Sequence, residues 1–100
     1  MSGFSQGIRF DAAHPALPGH FPGQPLVPGV LLLEQVALAL RNWRGLRLAR
    51  VLDAKFMAPL LPDQAAQLEL TDTDGSNSRI RFVIERDGMT LARGTVEGAS

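Results

Sequence analysis

The sequence contains no cysteine, which excludes disulfides and thiolate metal sites. It has no surplus of either charge. Ten Lys and Arg balance ten Asp and Glu, so nothing in the overall balance favours nucleic acid or an anionic membrane surface. Nucleic-acid binding is further disfavoured because no stripe interleaves aromatic with basic residues. No long hydrophobic run is present. The longest apolar segment, Val30 to Leu40, is too short for a membrane span and contains Glu34. The opening "MSGFSQGIRF" lacks the apolar core of a signal peptide. There are only two histidines; His14, His20 and Asp11 are weak grounds for a metal site, and none is expected. These absences leave a soluble cytoplasmic protein as the expectation. One hundred residues, 45% of them apolar, fit a single domain spanning 1–100.

What is present is concentrated in "GHFPGQPLVPGVLLLEQVALAL", Gly19 to Leu40. Five of the seven prolines, Pro15, Pro18, Pro22, Pro25 and Pro28, lie in or just before it. Proline fixes φ and biases its predecessor away from the helical region. The stretch therefore reads as a loop of defined path. A helix begins near Pro28 or Gly29, because proline suits the first helical turn, and Gly45 is a natural stop. Apolar residues occupy most of its circumference, which predicts burial on most sides.

A short strand is predicted over Gln6 to His14, where Ile8 and Phe10 alternate with Arg9 and Asp11. Four more follow the helix, in "LRLARVLDAKFM", "AAQLELTDT", "SRIRFVIER" and "MTLARGTVEG", with "DGSN" and "RDG" as turns. The order is strand, loop, buried helix, four strands. This points to an α+β fold in which an antiparallel sheet curls around the helix. A chain of this size would struggle to cover such a helix alone, so a dimer is expected.

Glu34 is the one acid in the apolar run. At three and four residues its helical neighbours are Val30, Leu31, Ala37 and Leu38, none of which can pair with it. An unpaired buried carboxylate is costly and favours its neutral form, and a neutral carboxyl can donate a proton. The alternative is that Glu34 faces solvent. His20, in the proline-stiffened loop, suits proton abstraction near neutral pH or a hydrogen bond to backbone. Gly29 lies where helix N–H groups lack acceptors and the macrodipole favours negative charge. It either holds a carbonyl that gains enolate character or lets the loop turn into the helix. A base, an acid and an oxyanion donor together suit proton abstraction next to a carbonyl, coupled to loss or gain of a hydroxyl.

The segment "HFPGQPLVPGVLLLE", His20 to Glu34, places an acid fourteen residues after the histidine. It resembles the β-hydroxyacyl-(acyl carrier protein) dehydratases of the hotdog fold. "KFMAPLLPDQ", Lys55 to Gln64, is similar to the strand and turn that follow the helix there. "HPALPGHFPG" looks most like the short dehydratases of aryl polyene clusters. The resemblance implies a hotdog fold, a sheet wrapped around a central helix. It implies that His20 and Glu34 are catalytic and that the Gly29 amide holds the thioester carbonyl. It also implies a dimer, homomeric or with a related hotdog subunit, in which the histidine of one protomer faces the acid of the other. The substrate would be a (3R)-3-hydroxyacyl group on the phosphopantetheine of an acyl carrier protein, the product a trans-2-enoyl thioester, and no further cofactor would be needed.

Such carriers are acidic, and "RNWRGLRLAR" offers Arg41, Arg44, Arg47 and Arg50 as docking residues with no acid among them; otherwise they are a solvated helix end complementing the C-terminal dipole. Trp43 is read as a packing residue. Two departures bear on chain-length preference: little sequence precedes the first strand, and Glu34-Gln35-Val36-Ala37-Leu38 replaces the family's frequent Glu-Ala-Met-Ala-Gln. An acyl-thioester hydrolase and a non-catalytic carrier-binding subunit are the competing functions.

Overall fold

The structure is a computed structural model that describes residues 3–11, 27–73 and 78–100. The strand β1 (Gly3–Ile8) precedes one helix, α1 (Gly29–Arg44), which is followed by β2 (Arg47–Phe56), β3 (Ala66–Asp72), β4 (Arg79–Arg86) and β5 (Met89–Ala99). All pairings are antiparallel, in the order β1-β3-β4-β5-β2. This is the α+β hotdog arrangement, one helix packed against a curled sheet.

Side-chain alternation divides the sheet into two faces. On β3, Ala66, Leu68 and Leu70 are buried, and on β4 Ile80, Phe82 and Ile84 are buried. They meet Leu31, Leu32, Val36, Ala39 and Leu40 of α1 in one apolar core. Arg79, Arg81, Val83 and Glu85 alternate with the buried set and occupy the outer face. β4 and β5 are joined by the tight turn Asp87-Gly88, whose φ angles of 51° and 80° match a two-residue hairpin loop with both central residues left-handed.

Three register shifts curve the sheet, one between Ile84 and Glu85 and two in β2, between Leu48 and Arg50 and between Val51 and Asp53. Bulges of this kind bend a strand and increase its twist. Beside the last of them, Asp53 Oδ1 accepts the Thr95 N–H at 2.8 Å. Close approach of β2 to β5 requires a glycine at position 94. A Cβ there would meet the Asp53 carbonyl oxygen, with Phe82 Cε2 at 2.7 Å and Ala54 Cα at 2.9 Å.

The helix ends differ. Gly45 terminates α1 in the left-handed region (φ 68°), and its N–H donates to the Arg41 carbonyl at 2.8 Å. Arg44 then fastens this end to β3: Nη2 lies 2.6 Å from Asp72 Oδ2, with the two side chains only 17% and 15% exposed. Its guanidinium carbon lies 3.9 Å from the centroid of the Trp43 ring, which stacks on Phe4 of β1 at 6.3 Å. Trp43 is thus a packing residue. At the other end Pro28 is the N-cap, with no side-chain hydrogen bond to the first turn and no acid within it.

Two expectations are corrected. The first strand spans Gly3–Ile8 and not Gln6 to His14. Its pairing runs from Gly3↔Thr71 to Ile8↔Ala66, so the apolar partner strand supplies order to "GFSQ", which has little alternation of its own. Phe10 is buried but outside the ladder, its carbonyl accepting the Asp63 N–H at 2.7 Å. The helix is also less enclosed than its composition predicts: Val30 and Leu38 are 66% and 52% exposed. Five strands cover one side of α1 and leave the other open.

Gly94→Ala is expected to lower stability by about 1–3 kcal/mol or more through overpacking. Gly7→Ala, where a Cβ meets nothing within 4 Å, is expected to be near neutral. Urea unfolding of the two variants checks the contrast.

Candidate active site

The open N-terminal end of α1 borders an apolar pocket. Val27, Gly29 and Leu32 form one side, and Phe56, Met57 and Leu60 form the other, around a cavity of ≈430 Å³. That volume falls in the range of small-molecule sites, about 300–1,000 Å³. The Val27 N–H donates to the Leu60 carbonyl at 2.9 Å, which ties the approach to the helix to the segment after β2. The Met57 N–H donates to the Leu91 carbonyl at 2.8 Å, which holds the end of β2 on the sheet.

Gly29 is at the first helical position and faces the Phe56 ring. A Cβ at Gly29 would lie 3.0 Å from Phe56 Cζ and 3.2 Å from Cε1. Glycine therefore permits the aromatic wall to approach the first turn of the helix. With no side-chain cap and no acid in that turn, the positive end of the helix dipole is left to whatever enters the pocket. Phe56 is half exposed at 49%. The sequence marked it only as one apolar residue of a strand; its place over Gly29 depends on the β2–β5 register, which no local pattern reveals.

Glu34 does not line this pocket. Five residues beyond Gly29, it is rotated about 140° around the helix axis. It is exposed, and so are Val30 and Leu38 one turn to either side. The expected enclosure of this carboxylate within an apolar environment is absent from the single chain, because the sheet covers the opposite side of α1. Glu34 instead sits in an apolar stripe that faces away from its own core. His20 lies outside the described residues, as does His14. Among the described residues no cluster of three or more potential metal ligands occurs.

The four arginines proposed for docking have different surroundings. Arg44 is engaged with Asp72, and Arg50 lies 3.8 Å from Glu97. Arg41 and Arg47 are exposed. Of the four, Arg44 is held within the fold, whereas the Arg50 side chain stays 68% exposed beside Glu97, a surface pair of small energetic weight. No described helix is long and apolar enough to cross a membrane.

The family model of ApeI-like proteins, described as ApeI dehydratase, matches residues 4–95. The chain belongs to the ApeI-like dehydratase family. The 3-hydroxyacyl-[acyl-carrier-protein] dehydratase FabZ of Pasteurella multocida (strain Pm70) is 36% identical, over 84% of this chain and 57% of that protein. FabZ of Haemophilus influenzae (strain PittEE) is 34% identical, over 84% and 58%. The chain thus spans somewhat more than half the length of these curated relatives. Among solved structures, the dehydratase heterocomplex ApeI:P from Xenorhabdus doucetiae superposes with a TM-score of 0.84 at 24% identity, covering 98% of this chain and 88% of that one. Slr0204, a 1,4-dihydroxy-2-naphthoyl-CoA thioesterase from Synechocystis, gives 0.68 at 17% identity, covering 98% and 81%. At such identities these two likenesses concern the fold alone. Membership of the ApeI-like family agrees with the short dehydratases indicated by "HPALPGHFPG".

Gly29→Val is expected to cost about 1–3 kcal/mol by driving methyl groups into the Phe56 ring. Adding Phe56→Ala should recover much of the clash as a measurable coupling energy in a double-mutant cycle. Additive effects would mean that the ring does not pack on Gly29.

Proposed function

We propose that this protein removes water from (3R)-3-hydroxyacyl thioesters, carried on the phosphopantetheine of an acyl carrier protein, to give trans-2-enoyl thioesters for fatty-acid-like or polyene chains. The observation that carries this reading is Gly29 at the uncapped N-terminus of α1, opening on an apolar pocket, within the His20-to-Glu34 motif of a dehydratase family.

In the reaction, His20 takes the C2 proton. The Gly29 N–H stabilises the negative charge that develops on the thioester oxygen, aided by the helix dipole. Glu34 of a second protomer gives a proton to the C3 hydroxyl, the C3–O bond breaks, and water leaves. The proton on His20 then passes through solvent to restore Glu34, so the enzyme returns to its starting state. The thioester carbonyl oxygen and the leaving hydroxyl need separate donors. Gly29 and Glu34, on different sides of one helix, suit contributions to different sites of a dimer better than joint action in one protomer.

Two features support dimerisation. The apolar stripe of Val30 and Leu38 flanks Glu34 and is exposed. β2 is a ten-residue edge strand, with Val51, Leu52 and Phe56 also exposed. A long exposed apolar edge is unstable towards pairing with another strand. Joining β2 edges and covering the helix stripe would bury both and enclose Glu34. The second copy is this chain itself or a related hotdog subunit; the Xenorhabdus doucetiae neighbour is described as a heterocomplex.

Mass spectrometry of a 3-hydroxyacyl-carrier protein incubated with the protein is the test. Loss of one water is expected with wild type, and a drop of about a hundredfold or more in rate with His20→Ala or Glu34→Ala, the scale of acid–base catalysis. Release of free thiol would indicate a hydrolase. No change across several chain lengths would favour a non-catalytic carrier-binding subunit.

A further inference from the structure

The outer face of the sheet carries a second concavity, unrelated to the pocket at Gly29. Asp53, Lys55, Arg81, Val83, Arg93 and Thr95 surround a cavity of ≈680 Å³ where β2, β5 and β4 run side by side. Its composition follows from register. Arg93 of β5 stands opposite Lys55 on one side and Val83 on the other, while Thr95 stands opposite Asp53 and Arg81. Three cations are thus drawn to one groove. Lys55 and Arg93 are direct cross-strand neighbours of like charge, an arrangement that is unfavourable within the isolated fold.

None of these three cations has an ion-pair partner among the described residues. Asp53, the one carboxylate of the lining, accepts the Thr95 N–H. By contrast, Arg9, Arg44, Arg50 and Arg86 all have carboxylate partners within 4 Å. Three cations without an ion-pair partner thus lie together here, whereas Arg47, at the start of β2, stands apart from the groove. No aromatic ring lines the groove, so a nucleic-acid base would find nothing on which to stack.

Lys55 and Phe56 are consecutive on β2 and point to opposite faces. Phe56 walls the pocket beside Gly29, so the cationic groove and the apolar pocket lie back to back across the same strand end. We infer that the outer-face groove is the docking surface for the acidic side of an acyl carrier protein, with Lys55, Arg81 and Arg93 as its contacts. This rests on the proposed dehydration reading and assigns its carrier to a place away from the helix end. The carrier's carboxylates would complement three charges left unpaired in the fold, and its arm would enter past the end of β2 at Met57.

The test compares wild type with Lys55→Glu/Arg81→Glu/Arg93→Glu on two substrates: a 3-hydroxyhexanoyl group on an acyl carrier protein, and the same group on N-acetylcysteamine, which has no carrier. The expected result is a KM about tenfold higher for the carrier substrate, the scale of losing charged contacts at a docking surface, with kcat and turnover of the N-acetylcysteamine thioester unchanged. Added salt should raise the wild-type KM for the carrier substrate and affect the variant much less. Equal losses on both substrates, or an unchanged carrier KM, would overturn the inference, as would a rise produced only by Arg41→Glu/Arg47→Glu. If wild type dehydrates neither substrate, the dehydration reading fails by itself. Fluorescence anisotropy with labelled carrier protein then decides docking: weakening in the charge-reversed variant supports it, and equal or absent wild-type binding contradicts it. Should the triple variant not fold, Arg93→Gln, which relieves the repulsion with Lys55, supplies the same comparison with a smaller expected shift.

Discussion

A five-stranded sheet wraps one side of a sixteen-residue helix, and that incomplete cover governs the rest of the structure. The covered side brings Leu31, Leu32, Val36, Ala39 and Leu40 against Leu68, Leu70, Ile80, Phe82 and Ile84 to form the core. The uncovered side leaves Val30 and Leu38 exposed on either side of Glu34. Burying a side chain of this size contributes about 1.5–3 kcal/mol, so a partner that closes over the stripe gains substantially from both. The same closure would desolvate the carboxylate. Assembly and activation of the acid would then be one event.

The two ends of the helix differ: one is anchored, and the other is the end proposed to bind substrate. The C-terminal end is anchored by Arg44 on Asp72, with Trp43 between Arg44 and Phe4. Arg44 therefore serves the fold, while Arg41 of the same turn stays exposed. The N-terminal end is uncapped and apolar, with Phe56 against Gly29. An oxyanion donor must be immobile to stabilise charge without reorganisation. Anchoring the helix at the far end is one means of providing that.

Much of the helix was legible because its signals are local. Pro28 and Gly29 at the start and Gly45 at the stop mark its bounds within one residue. The four later strands and the Asp87-Gly88 turn were legible for the same reason, since alternation and turn residues act over short spans. Strand order was not: β2 beside β5 and β1 beside β3 are long-range pairings without a local signature. "GFSQ" becomes a strand only through that pairing. The exposure of Glu34 was one of two readings that the sequence left open, because an apolar helix surface reads the same whether its own chain or a second one covers it. The motif from His20 to Glu34 pointed to the family, while Phe56 and the groove of Lys55, Arg81 and Arg93 emerged only from register.

The proposed active site is shared between protomers, with His20 and Gly29 from one and Glu34 from the other. The most direct measurement is activity after mixing inactive His20→Ala and Glu34→Ala chains, unfolding them together and refolding. A mixed dimer contains one site with both substitutions and one with neither, so dehydration should reappear in the mixture although each parent alone lacks it. If the refolded mixture forms mixed dimers yet stays as inactive as its parents, the histidine and the acid do not meet across an interface, and the shared site is contradicted.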